Sequence, residues 1–123
     1  VQNHNLFKRS EENLFFELPI TFADASLGAT IEVPCINGSK VNVKIPAGTQ
    51  YGKQLRLKDK GMPILRRSSF GDLYIRIIPE VPVSLSRRQK ELLEEFKELE
   101  NSKLSPSIKT FFEKAKKFWG SNK

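Results

Sequence analysis

Residues 30–45 read Thr-Ile-Glu-Val-Pro-Cys-Ile-Asn-Gly-Ser-Lys-Val-Asn-Val-Lys-Ile. Ile31 and Val33 alternate with polar neighbours in the first half, and Val41, Val43 and Ile45 do so in the second. A period of two puts one side of a strand in the core and the other in water. Between the halves stands Asn37-Gly38, the dipeptide best suited to a tight hairpin turn. This stretch predicts a β-hairpin, and with it a sheet protein.

The same period extends outward. Upstream, Leu14, Phe16, Leu18 and Ile20 fall on one side of a strand, and Pro19 predicts an edge position because proline donates no ladder hydrogen bond. Thr21-Phe22-Ala23-Asp24 reads as a capping box opening a short helix, and Gly28 stands where a helix C-cap favours positive φ. Downstream, Pro46-Ala47-Gly48-Thr49 reads as a turn, 54–58 as another alternating strand, and 60–69 as a basic loop. Leu73-Tyr74-Ile75-Arg76-Ile77-Ile78 is nearly all apolar and predicts a strand inside the sheet, ended by Pro79 and Pro82.

At Ser86 the character changes. Ser86-Arg87-Arg88-Gln89 is a capping box, and strong helix formers follow to Glu100. Leu85, Leu92, Phe96 and Leu99, with Leu93 beside them, make an apolar stripe on a charged rod, and such a stripe must be covered. A linker with Pro106 follows over 101–107. A shorter amphipathic segment then carries Ile108, Phe111, Phe112, Ala115, Phe118 and Trp119 on one face.

With 123 residues the chain has room for one core and an appendage, and its 38% hydrophobic and 28% charged residues fit a globular protein with a wet surface. No apolar run approaches the roughly 18 residues of a membrane span. The chain opens Val-Gln-Asn-His, without an initiator Met or a targeting leader, and is read as a piece of a longer polypeptide. One cysteine, Cys35, rules out an internal disulfide or a thiolate zinc site made by this chain alone, and favours a reducing compartment. One His, one Cys and no nucleophile elbow leave no catalytic constellation to assemble. Gly48-Thr49-Gln50-Tyr51-Gly52-Lys53-Gln54 hints at a phosphate loop, but its glycines are one residue too close and no Ser or Thr follows the Lys. The net charge of +7 concentrates in 53–67 and in the tail after Glu100. Basic loops interleaved with Tyr51, Phe70 and Tyr74 keep a nucleic-acid-binding β domain as the alternative reading.

Longer strings then carry a resemblance. Phe16 to Pro34 (FELPITFADASLGATIEVP), Ile45-Pro46-Ala47-Gly48-Thr49-Gln50, Arg56-Leu57-Lys58-Asp59-Lys60-Gly61-Met62-Pro63, Gly71-Asp72-Leu73-Tyr74 and Leu85 to Leu93 stand in one order and spacing. They resemble the second C-terminal domain and following helix of DnaJ-type co-chaperones. Phe111 to Phe118 resembles the tail of the bacterial zinc-containing members, and His4 to Arg9 their link from the first C-terminal domain. The resemblance covers essentially the whole chain. Departures are Ser68-Ser69-Phe70, where members commonly have glycines, and Cys35, where Thr is usual.

The resemblance implies a mostly β fold: a small two-layer β domain with one short helix, followed by a C-terminal dimerisation helix and a short tail helix. The expected divisions are a link over 1–12, the β-rich domain over 13–82, the dimerisation helix over 83–101 and a basic aromatic tail over 102–123. It implies a homodimer, for which Leu92, Leu93, Phe96 and Leu99 are the expected contacts, joined by Phe111, Phe112, Phe118 and Trp119 of the tail. Unfolded protein clients are the second expected partner, touched at an apolar sheet edge by Phe15, Val33 and Ile36. A DnaK-type ATPase chaperone is the third, reached through the full-length protein. The J-domain is not in this sequence, so no ATPase stimulation is expected of it. Zinc belongs to the cysteine-rich region that this sequence lacks, so no cofactor is expected here. Neither a membrane partner nor specific nucleic acid is expected, and the location is read as cytoplasmic.

Overall fold

The computed structural model describes residues 6–64, 69–100 and 106–121. It separates at Pro82 into two compact units. The first holds β1 (Lys8–Ser10), β2 (Asn13–Thr21), α1 (Phe22–Leu27), β3 (Ala29–Pro34), β4 (Lys40–Ile45), β5 (Gln54–Leu57) and β6 (Leu73–Glu80), and the second holds α2 (Arg87–Leu99) and α3 (Pro106–Ser121).

The first unit has two sheets: four strands in the order β1-β2-β6-β5, and the β3-β4 hairpin. β2 and β6 run parallel, with Phe16 opposite Ile75 and Leu18 opposite Ile77. β1 and β5 are antiparallel to β2 and β6 respectively. Leu14, Phe16 and Ile20 of β2, Leu73, Ile75 and Ile77 of β6, and Val33, Val43 and Ile45 of the hairpin join Ala25 in one buried cluster between the sheets. β2, β4 and β6 contribute alternate residues, so this is the two-layer β domain of the sequence reading. Full burial of each large aliphatic side chain is worth about 2 kcal/mol in water-transfer terms.

Local signals set the boundaries. Thr21 caps α1, its Oγ1 accepting from the Asp24 N–H at 3.0 Å. The hairpin closes differently from the expected two-residue turn. The Cys35 carbonyl accepts from the Gly38 N–H at 3.0 Å, and the Cys35 N–H donates to the Ser39 carbonyl at 2.8 Å. Gly38 alone takes positive φ (89°), while Asn37 does not. This is a three-residue loop with glycine in the left-handed position, and Asn37 Oδ1 braces it by accepting from the Ser39 N–H at 2.9 Å.

Two proline expectations need revision. β2 is flanked on both sides at its start, but β1 pairs only with Asn13 to Phe15, so Pro19 has a strand neighbour on one side only. β6 does not end at Pro79 but runs through it to Glu80, paired with β2 alone, because β5 reaches only to Arg76. In both places the missing N–H falls where one side of the strand lacks a partner. β1 lies in the stretch read as a link, and Phe7 just before it meets Phe16 edge-on at 5.4 Å. The basic loop after β5 begins and ends as an arm, with Pro63 bridged to Phe70. Arg66, Arg67 and Ser68 lie outside the described residues, as do 101–105 of the linker.

Candidate functional site

In the second unit, α2 starts from a complete capping box. Ser86 Oγ accepts from the Gln89 N–H at 3.1 Å, and Gln89 Oε1 accepts from the Ser86 N–H at 2.9 Å. Such a cap fixes where the helix begins, and with it which residues share its apolar side. No residue of α2 is buried. Leu92, Phe96 and Leu99 remain 46%, 39% and 78% exposed, and Leu93 is half-buried. Outside the stripe, Arg87, Arg88, Lys90 and Lys97 balance Glu91, Glu94, Glu95 and Glu98.

α3 opens on Pro106, whose fixed φ suits the first helical position. The helix is longer than the sequence expectation, taking in Pro106 and Ser107. Phe111, Phe112, Phe118 and Trp119 are each 53–64% exposed. Phe111 and Phe112 meet edge to face at 5.2 Å. The eight residues read as dimerisation contacts thus form two amphipathic faces.

The three residues read as client contacts do not form one patch. Phe15 lies on the outer side of the four-stranded sheet, stacked on Tyr74 with ring centroids 5.0 Å apart and planes 13° from parallel. Lys8 and Arg56 stand opposite that pair on the flanking strands. Val33 is 1% exposed. The alternation of β3 turns it into the core, so it supports the hairpin from inside instead of presenting itself to a partner. Ile36, in the hairpin loop, is half-buried against the core cluster. The sequence reading named Tyr74 only for base stacking, not for client contact, and did not name Arg76. Arg76 pairs with Glu17 at 3.0 Å and places its guanidinium 5.1 Å from the Tyr51 ring centre. Both sit one residue out of step with the apolar positions of β6, which marks them as the outer side.

Asp72 holds the start of β6 in place. It accepts from Arg56 Nε at 2.6 Å and from the Asp59 N–H at 3.1 Å, while its own N–H donates to Asn13 Oδ1 at 2.9 Å. The Asp59 N–H bond, followed by the Arg56 contact, holds the Asp72 carboxyl below its usual pKa, and the same pair raises that of Arg56. The loop that hinted at a phosphate site is a turn: the Gly48 and Thr49 N–H groups donate to the Ala25 carbonyl at 2.8 and 3.0 Å, and the Gly52 N–H to Ile77 at 2.9 Å. No helix among the described residues is long and apolar enough to cross a membrane.

A braced β unit is thus followed in sequence by two helices that display apolar faces. A family model described as "DnaJ C terminal domain" matches residues 1–82, and one described as "Chaperone protein DnaJ C-terminal region" matches 88–121. The chain belongs to the DnaJ C-terminal domain family. It is similar to "Chaperone protein DnaJ" of Pelagibacter ubique, 63% identical over 119 residues that make up 97% of this chain and 32% of that protein. Proteins of the same name from Roseobacter denitrificans and Paramagnetospirillum magneticum are 49% and 50% identical, over 100% and 97% of this chain and 32% of each relative. The chain therefore spans about a third of the length of the relatives it matches.

Proposed function

We propose that this chain is the dimerisation and client-contact module of a DnaJ-type co-chaperone, whose full-length form presents unfolded proteins to a DnaK-type ATPase chaperone. The observation that carries the proposal is the exposed stripe of Leu92, Phe96 and Leu99 on a firmly capped helix. A two-fold interface covers such a stripe with its own copy. Client contact falls to the Phe15–Tyr74 stack and to the hairpin near Ile36. Among the described residues the two-stranded hairpin leaves an edge of each strand open to pairing with an extended peptide. Either contact is small, and linking two copies raises the avidity for one unfolded chain without any new contact.

The test is protection of a chemically denatured reporter enzyme from aggregation, compared at equal chain concentration between the wild type and a monomeric α2 variant. The wild type is expected to suppress light scattering, and the monomer to need a several-fold higher concentration. Absence of protection by the wild type refutes client contact. Equal protection by the monomer refutes the role of avidity.

A further inference from the structure

α2 and α3 are both amphipathic, but their chemistry differs. α2 shows mainly leucine on its apolar side and equal numbers of cations and carboxylates elsewhere, as a helix that meets a protein copy does. α3 shows Ile108, Phe111, Phe112, Ala115, Phe118 and Trp119. At 3.6 residues per turn these fall within an arc of about 120°. Lys116 and Lys109 border one flank of that arc and Lys114 the other, with Lys117 nearly opposite its centre, against Glu113 alone. The apolar side is thus aromatic, and the remainder is basic.

We propose that α3 lies flat on an anionic lipid bilayer. Its aromatic side would enter the boundary between headgroups and acyl chains, while the flanking lysines reach the lipid phosphates. Spanning is not involved: a helix from Pro106 to Ser121 is about 24 Å long at 1.5 Å per residue, short of a hydrocarbon core of about 30 Å. The sequence expectation of no membrane partner rested on the lack of a span, and this mode of contact needs none. Nucleic acid fits the same residues less well, because binding a single strand calls for aromatics and cations on one surface. In α3 only Lys109, Lys114 and Lys116 flank the aromatics, and Lys117 falls on the far side. A second copy would answer the aromatics but not the excess of lysine.

Trp119 is the only tryptophan, so its emission reports on α3 alone. The 123-residue chain would be titrated with vesicles of phosphatidylcholine and with vesicles of equal parts phosphatidylcholine and phosphatidylglycerol, then sedimented with them. On the mixed vesicles a blue shift and co-sedimentation are expected, with little of either on the neutral ones. Lys109→Gln with Lys116→Gln should weaken partitioning about fivefold per lysine. Phe111→Ser with Phe112→Ser should abolish it. No shift on mixed vesicles overturns the proposal. So does an emission already blue without lipid that moves with protein concentration together with the mass, which would give the face to a second copy. Equal shifts with an oligothymidylate and with vesicles would overturn it in favour of nucleic acid. The lysine pair is polar and exposed, so its arm stands even where the phenylalanine pair disturbs the helix.

Discussion

Replacing Leu92 and Phe96 with Asp should convert a dimer into a folded monomer, and the size of the effect follows from the exposed fractions. Leu92 and Phe96 leave 46% and 39% of their surface uncovered in one chain. Full burial of a Leu or Phe is worth about 2 kcal/mol, so covering what remains of the two contributes a little under 2 kcal/mol per protomer and about 3.5 kcal/mol per dimer. At 1.4 kcal/mol per tenfold, that corresponds to a dissociation constant weakened by a few hundredfold. Like charges facing each other across a two-fold axis would add to it. Because no residue of α2 is buried, the substitutions remove no buried side chain. Light scattering over a range of concentrations reads the mass directly, with 14.1 kDa for one chain. Circular dichroism checks that the variant is folded. A folded double variant that still gave twice the chain mass, with a dissociation constant within threefold of the wild type, would refute the assignment of α2. A wild type that stayed at one chain mass at every concentration would refute the dimer itself.

Other consequences concern the β unit. Gly71→Ala should destabilise by at least about 2 kcal/mol in urea, because the added Cβ would run into the backbone of Glu12. Gly48→Ala, also at a turn but with nothing near its Cβ, should cost only the strain of its positive φ, about 1 kcal/mol. Ile75→Ala, at a position with 0% exposure between the sheets, should cost about 2–5 kcal/mol. Asp72→Asn should narrow stability in a pH-dependent way. The Asp72 pKa is lowered in the fold, so its contribution is complete above the ordinary carboxylate value near 4 and disappears as pH falls through the lowered one. Urea midpoints of wild type and variant should therefore differ at pH 7 and converge as the pH falls below the lowered Asp72 pKa; a gap that stayed constant would show that the Asp72 carboxylate charge is not what matters.

Most of the β unit was legible because its strands are half-buried. Leu14, Phe16 and Ile20 alternate with outward residues, and the period of two survives in the sequence whatever the topology. What the period does not carry is which strands pair. The parallel match of β2 with β6 joins residues nearly 60 positions apart, such as Phe16 and Ile75, and no local signal records it. β1 escaped notice because a three-residue strand is too short to show alternation, and its burial pattern is exposed throughout. The hairpin turn was read one residue too tight because Asn-Gly suits both loop types. The hydrogen bonds between Cys35 and Gly38 and between Cys35 and Ser39, with positive φ at Gly38 but not at Asn37, separate them.

The contact surfaces were legible to a different depth. Periodicity marks a face that must be covered, but it treats Val33 and Phe15 alike as apolar residues near a strand end. The strand's alternation has to be phased against the core before one of them turns inward and the other outward. On the helices the phase was clear, and the partner was not, because leucine and phenylalanine count equally toward an apolar stripe. The distinction lies in the charges outside the stripe of each helix. Four cations against four carboxylates on α2 leave a surface with no net field, which tolerates an identical neighbour; four lysines against Glu113 on α3 repel one. Two such α3 helices brought together would set their lysines side by side, whereas an anionic surface would neutralise them. The charges outside an apolar stripe therefore narrow what can cover it more than the stripe does.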